Sequence, residues 1–286
     1  LRKAGYSEKF STGLLTSAGA ISNIIPPSIA MILYGSAAQQ SVVELFAAGI
    51  FPGLVIALLF GLYIYVHARR AGIREVEKFR LAEFFAATQD GIWAIIAPVI
   101  ILGGIYTGIF SPTEAAGVAS VYAIFTTVFV YRDITLRQMF DVAARSLSLT
   151  AQIFIIVAVA GVYSWLLTVS GAASAATDFI GGLEMEPWVI LLIINIFLLL
   201  IGTVLDTASA ILVLTPLLVP IATAAGVDLV HFGIIVVVNL SIGTFTPPFG
   251  LNIFVGQAIF KAPLSSIYPG LMPFIALSII GLLIIT

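Results

Sequence analysis

The sequence contains no cysteine, only two histidines and very little charge: Asp, Glu, Lys and Arg make up 9% of its 286 residues. Without cysteine there are no disulfides and no thiolate metal sites. A soluble domain carries roughly 25% charged residues, so this chain cannot cover a water-facing surface of its size. There is no Walker loop, HExxH or GxSxG motif, which leaves ATP-driven transport and hydrolysis without a signature and reads as a protein that is not an enzyme. Nor is there a cluster of basic and aromatic residues that would fit nucleic acid.

What is present is apolar: 60% of residues are hydrophobic and the mean hydropathy is +1.17. The apolar runs suit membrane helices of about 20 residues rather than the roughly 10-residue alternating strands of a barrel. They cover residues 11–35, 45–66, 92–109, 115–131, 146–169, 188–220, 231–260 and 267–285, with a shorter stretch at 172–183. The charged stretch "HARRAGIREVEKFRLAEFFAATQD" predicts an amphipathic helix at the membrane interface over residues 74–90. The sequence opens on Leu1 rather than Met and ends within an apolar run, so more protein is expected upstream and a little downstream.

Lys and Arg mark cytoplasmic loops. All 12 fall before the first run, after the second, between the fourth and fifth, or after Pro247-Pro248. One alternating topology puts them all on one side. In that topology residues 188–220 enter and leave on the same face. A helical hairpin turning near Asp206 inside the membrane satisfies this; two full crossings joined at "TVLDT" would also keep the count, but each arm has only about 16 apolar residues where a span normally needs roughly 20.

Two runs carry the same defect. "SNIIPPSIA" (Ser22–Ala30) and "GTFTPPFGL" (Gly243–Leu251) place Pro-Pro in the middle of an apolar segment, and "FPGL" and "YPGL" follow them in turn. The charge pattern orients these segments oppositely, which reads as an inverted repeat, a common plan of secondary transporters. Proline removes an N–H and clashes with the preceding turn, so carbonyls around residues 22–25 and 243–246 are expected to lack helical partners. Such backbone can ligate a small hard cation, while the helices restarting at Pro27 and Pro248 offer positive ends to an anion. A proline kink satisfied by hydroxyls and water is the plainer alternative.

Asp206 is the one acidic residue deep in an apolar stretch, and reads either as an ion or substrate ligand or as the N-cap of "DTASAI". Glu114 in "SPTEAAG" reads as a capping box with Ser111. Asn195 and Gln152 are expected to hydrogen-bond between helices. His67 and His231 flank spans without ligand-spaced partners.

"SNIIPPSIAMILYG", "ELFAAGIFPGL", "SPTEAAGVASVYA", "GTVLDTASAILVLTPLLVPIA" and "GTFTPPFGLNIFVG" together resemble the large, DctM-like membrane subunit of tripartite ATP-independent periplasmic (TRAP) transporters, over nearly the whole chain and in matching order. The resemblance is to the C-terminal two-thirds of that subunit. It implies an all-α polytopic fold of the ion-transporter superfamily, with an inverted repeat of broken helices, a re-entrant hairpin and elevator motion. It also implies Na+-coupled symport of a small carboxylate, such as a C4-dicarboxylate or sialic acid, across a bacterial inner membrane. Na+ would be the only cofactor. The partners would be a small four-helix membrane subunit and a periplasmic substrate-binding protein. The ion ligands carried over are Ser22, Asn23, Ile25, Thr203, Asp206, Gly243, Thr244, Thr246 and Pro247, and the substrate-binding residues are Ser22, Pro27, Asp206, Thr207, Pro248 and Asn252. The hairpin belonging to the first break would lie upstream of Leu1.

The domain organisation expected is a transport domain from residues 1–44 and 187–262, scaffold helices in 45–90 (with the interfacial helix) and 263–286, and linking helices in 91–186. A stand-alone anion/Na+ symporter of the same superfamily and an ion channel remain as alternatives. The antiparallel sense of the repeats disfavours a channel.

Overall fold

The computed structural model describes residues 1, 4–73, 80–182 and 185–286, with backbone alone at 173 and 179. It is helical, with no strand among the described residues. The helices are α1 (Glu8–Ile21), α2 (Ile29–Ala38), α3 (Val42–Arg70), α4 (Leu81–Tyr106), α5 (Pro112–Phe125, continued by a π-helical turn Thr126–Val130), α6 (Leu136–Val169), α7 (Ala172–Gly182), α8 (Pro187–Gly202), α9 (Thr207–Ala224), α10 (Leu229–Gly243), α11 (Leu251–Phe260) and α12 (Leu264–Ile285). Six of these segments are long and apolar enough to cross a membrane: α3, α4, α5 with its π-turn, α6, α9 and α12.

Helix starts follow capping chemistry. Ser7, Ser28, Ser41, Ser111, Asp206 and Asp228 each accept a hydrogen bond from a backbone N–H of the first turn they precede. Ser111 and Glu114 form the expected capping box. Helix α6 begins ten residues before the apolar run at residue 146, because Thr135 and Gln138 make a reciprocal cap that hydropathy does not register. The interfacial helix expected over residues 74–90 is not a separate element where it is described. Residues 74–79 lie outside the described residues, and residues 81–90 form the first turns of α4, which runs on through Pro98 to Tyr106.

The chain divides into two compact units, Leu1–Glu75 with Ala160–Thr286, and Val76–Val159. In the smaller unit α4 and α5 form an antiparallel pair, where the Tyr122 hydroxyl donates to the Trp93 carbonyl (2.7 Å) and that of Tyr131 to the Asp90 carbonyl (3.1 Å).

The larger unit is built around α10. Every residue from Phe232 to Gly243 is buried, and the helix is apolar on nearly all sides, as a central core helix must be. Packing around it is reciprocal. Helix α1 lies against α11 and α12, while α10 lies against α2 and α3. The first arm of each broken helix therefore packs on the second arm of the other and on the helix that follows. The α1–α12 crossing is made backbone to backbone, since a Cβ on Gly13 would fall 2.1 Å from the Gly270 carbonyl oxygen.

Helices α8 and α9 form an antiparallel hairpin. Ile190, Ile194 and Phe197 face Leu217, Leu218 and Ile221 across an apolar cleft that Ile180 of α7 also lines. The tip is residues 203–206, as the sequence predicts.

Candidate functional site: two helix breaks and a hairpin tip

Helix α1 stops at Ile21, and α2 restarts after a Pro26-Pro27 cis peptide. The Ser28 hydroxyl donates to the Asn23 carbonyl and accepts from the Met31 N–H, while the Ser22 hydroxyl donates to the Gly19 carbonyl at 2.7 Å. Among the described residues the carbonyls of Ser22, Ile24 and Ile25 accept no hydrogen bond. This is the open backbone expected of the first break. Ser22, Ile25 and Pro27 are exposed, Asn23 is half-buried and Ile24 is buried.

The second break differs from expectation. Pro247-Pro248 is also cis, but most carbonyls of residues 243–246 are paired. Gly243 accepts from the Thr246 N–H (3.1 Å), Thr244 from the Asn252 N–H (2.8 Å) and Thr246 from the Gly250 N–H (3.2 Å), leaving only the Phe245 carbonyl open among the described residues. The cause is the close fold-back of the loop. Orphan N–H groups at the start of α11 reach orphan carbonyls at the end of α10, and a Cβ on Gly250 would sit 2.5 Å from the Thr244 carbonyl oxygen. The Asn252 side chain adds a bond to the Thr244 hydroxyl at 3.2 Å. Thr246 caps back onto the Ile242 carbonyl, and the Tyr268 hydroxyl holds the Pro248 carbonyl.

At the hairpin tip Thr203 is the C-cap of α8, and its hydroxyl donates to the Leu200 carbonyl at 2.8 Å. Thr244 does the same for α10, donating to Ser241 at 2.6 Å. Both threonines are buried, at 8% and 4% exposure. Asp206 caps α9 through the Ser209 N–H (3.0 Å) and is exposed, so the capping role foreseen for it is present. No hydrogen bond or ion pair joins Asp206 to either break among the described residues. The neighbouring Thr207 hydroxyl is buried and has no partner among them.

The structure brings several of these residues into one cluster. A Cβ on Gly243 would lie 2.4 Å from the Gly202 carbonyl carbon, so the C-terminal ends of α8 and α10 touch, and Thr203 and Thr244 follow directly. Asn252 also lies beside the last turn of α1, since a Cβ on Gly19, one turn before Ser22, would fall 3.6 Å from its amide nitrogen. On the inner side Ile21 and Ile24 meet Ile242 and Phe245 around one small void, so the breaks lie back to back. Ile25, Pro27 and Pro248 stay at exposed edges, and Thr246 and Pro247 lie half-buried within the loop. Sequence reasoning missed Gly202 and Asn239. The signal available was a stripe on α10, Ile235, Asn239 and Gly243, that repeats every four residues.

The cluster offers hydroxyl and carbonyl oxygens and two helix C-termini, each carrying about half a negative charge. No group of three or more His, Asp or Glu that could hold a metal ion occurs among the described residues.

The family model described as "Tripartite ATP-independent periplasmic transporter, DctM component" matches residues 1–286. The chain belongs to the DctM family. It is similar to the C4-dicarboxylate TRAP transporter large permease protein DctM of Pseudomonas aeruginosa, with 39% identity over 284 residues, 99% of this chain and 66% of the relative. It is also similar to the isethionate TRAP transporter permease protein DctMQ of Oleidesulfovibrio alaskensis, with 39% identity over 283 residues, 99% of the chain and 45% of the relative. The sialic acid TRAP transporter large permease protein SiaM of Vibrio cholerae is 33% identical over 273 residues, 96% of the chain and 64% of the relative. The chain thus spans about two thirds or less of the length of these relatives. Membership of the DctM family marks it as part of a transport protein rather than an enzyme, and its six long apolar helices are those of a multi-pass membrane protein.

Proposed function

We propose that the chain forms part of a secondary transporter that couples Na+ entry to uptake of a small carboxylate solute, C4-dicarboxylate or sialic-acid-like, across a bacterial inner membrane. The observation that carries this reading is the meeting of the α8 and α10 C-termini at Gly202 and Gly243, with buried Thr203 and Thr244 as their caps. Two negative helix ends in an apolar interior favour a cation. The open carbonyls of Ser22, Ile24 and Ile25 offer a second group of oxygens, with Asn23 beside them. In this reading Asp206, Thr246, Pro247 and the Gly243 carbonyl complete the ion ligands at the tip and the second break.

The solute would lie between the tip and the breaks, at Ser22, Pro27, Asp206, Thr207, Pro248 and Asn252. No Lys or Arg neighbours the breaks in sequence, so recognition falls to hydroxyls, amides, the bound Na+ and the N-termini of α2, α9 and α11. Na+ binding would order the broken backbone and lower the entropic cost of seating the solute, which is coupling in thermodynamic terms. The reciprocal packing of α1 on α11 and α12, and of α10 on α2 and α3, supports an inverted repeat. Elevator motion of residues 1–44 and 187–262 against a scaffold that includes α3 and α12 would carry the load across. A periplasmic binding protein would deliver the solute, and a small four-helix membrane subunit would complete the assembly.

Thermal unfolding of the purified full-length subunit tests the ion claim. The melting temperature should climb with Na+ and stay flat when K+ replaces it at equal ionic strength. Equal responses to the two ions would remove Na+ as the coupling ion.

A further inference from the structure

We propose that Asn195 and Asn239 are positioning residues that fix the register of α8 along α10, and thereby bring Gly202 against Gly243. The importance of that contact for a cation rests on the function proposed above, whereas the register itself does not.

Between Val189 and Gly202, Asn195 is the sole polar side chain of α8, and in α10 the run Phe232–Val238 that precedes Asn239 has none. Both asparagines are buried, at 3% and 0% exposure. The Asn239 amide nitrogen donates to Asn195 Oδ1 at 2.6 Å and to the Ile235 carbonyl at 2.8 Å, and Asn195 Nδ2 donates to the Thr286 hydroxyl at 3.0 Å. Asn195, Leu198 and Gly202 lie on one stripe of α8, and Ile235, Asn239 and Gly243 on one stripe of α10. The amide contact and the glycine contact ascend both helices in the same direction, so α8 and α10 run parallel.

The rest of the α8 face is Leu and Ile. Along that Leu and Ile part of the face dispersion changes little if one helix slips by a turn, and lipid supplies no hydrophobic drive to choose between registers; the close approach at Gly202 and Gly243 is a steric constraint at the helix ends alone. A slip would, however, strip Asn195 Oδ1 of its donor in an apolar interior and leave Asn239 only the Ile235 carbonyl of its own helix, which is unfavourable. A single buried asparagine sets register in coiled coils on the same grounds. The pair is also not optimised for stability, because Asn239 Oδ1 has no partner among the described residues.

The test uses the purified full-length subunit with spin labels at positions 204 and 249, since Val204 at the tip and Phe249 in the second break are 66% and 59% exposed. The double variant Asn195→Leu with Asn239→Leu removes both amides while keeping bulk. Its melting temperature should match or exceed that of the parent. Its label-to-label distance should broaden and gain a component displaced by about 5 Å, one helical turn. The Na+ concentration giving half-maximal thermal stabilisation should rise about tenfold, an increase a purely space-filling role would not produce. A folded double variant with the parent's distance distribution overturns the proposal. A shifted distribution with no Na+ response even in the parent upholds the register role and removes the Na+ reading. If the double variant does not fold, Asn239→Ala is read by the same distance: broadening supports the proposal and an unchanged distribution overturns it.

Discussion

Gly202 and Gly243 meet backbone to backbone, leaving no room for a side chain on Gly243 where the end of α8 touches the end of α10. One glycine closes the first arm of the hairpin and the other closes the first arm of a broken helix. The buried threonine that follows each caps its helix. Two helix ends that lie 41 residues apart in the sequence thereby become one oxygen-rich spot in an apolar unit.

Gly243→Ala should disturb this spot directly. Its Cβ would lie 2.4 Å from backbone that cannot rotate away, so the helix ends must part, at a cost of about 1–3 kcal/mol. Chemical denaturation should show the loss, and the Na+ response should weaken in parallel.

Thr244→Val keeps shape and removes the hydroxyl. It breaks the bond to the Ser241 carbonyl and leaves the Asn252 amide without that partner. A loss of about 1–3 kcal/mol is expected, together with a raised half-saturating Na+ concentration. Thr244→Ser should restore both in the same titration.

Asp206→Asn separates the two roles of that residue. Asparagine caps a helix as well as aspartate, whereas Asp206→Ala should lose about 1 kcal/mol with the Ser209 contact. If the carboxylate also serves the ion, Asp206→Asn keeps the melting temperature without Na+ and raises the Na+ concentration needed for half the effect. An unchanged Na+ titration would confine Asp206 to capping.

Much of this was legible in the sequence. Both Pro-Pro breaks, the hairpin tip at Asp206, the capping box at Ser111 and the short α7 follow from local chemistry that a single chain displays. Three features were not legible. Closure of the second break depends on Gly250 and Asn252 folding back onto Thr244, a contact between loop residues with no periodicity to betray it. The start of α6 lies in charged sequence, where hydropathy falls although the helix continues, and the helix foreseen before residue 90 joins the following span as one element, α4, a continuity that hydropathy does not register. The Asn195–Asn239 pair could be foreseen only in half. The sequence marks Asn195 as a polar group in an apolar helix, but its partner lies 44 residues away.

Gly270→Val tests the packing outside the site. The contact of α1 with α12 is made at Gly13 and Gly270, and a Cβ on Gly270 would fall 2.1 Å from the Lys9 carbonyl oxygen. The added bulk should destabilise the larger unit by about 1–3 kcal/mol, and hydrogen exchange should report faster opening in α1 and α12 than in α4 or α5.

The central claim is ion-coupled uptake, and the most direct measurement is solute accumulation in sealed vesicles. These should contain the full-length subunit and its membrane partner, with the periplasmic binding protein loaded with solute outside. The account predicts accumulation against a gradient when Na+ is outside, and none when K+ replaces it. Undiminished accumulation in K+ would contradict it.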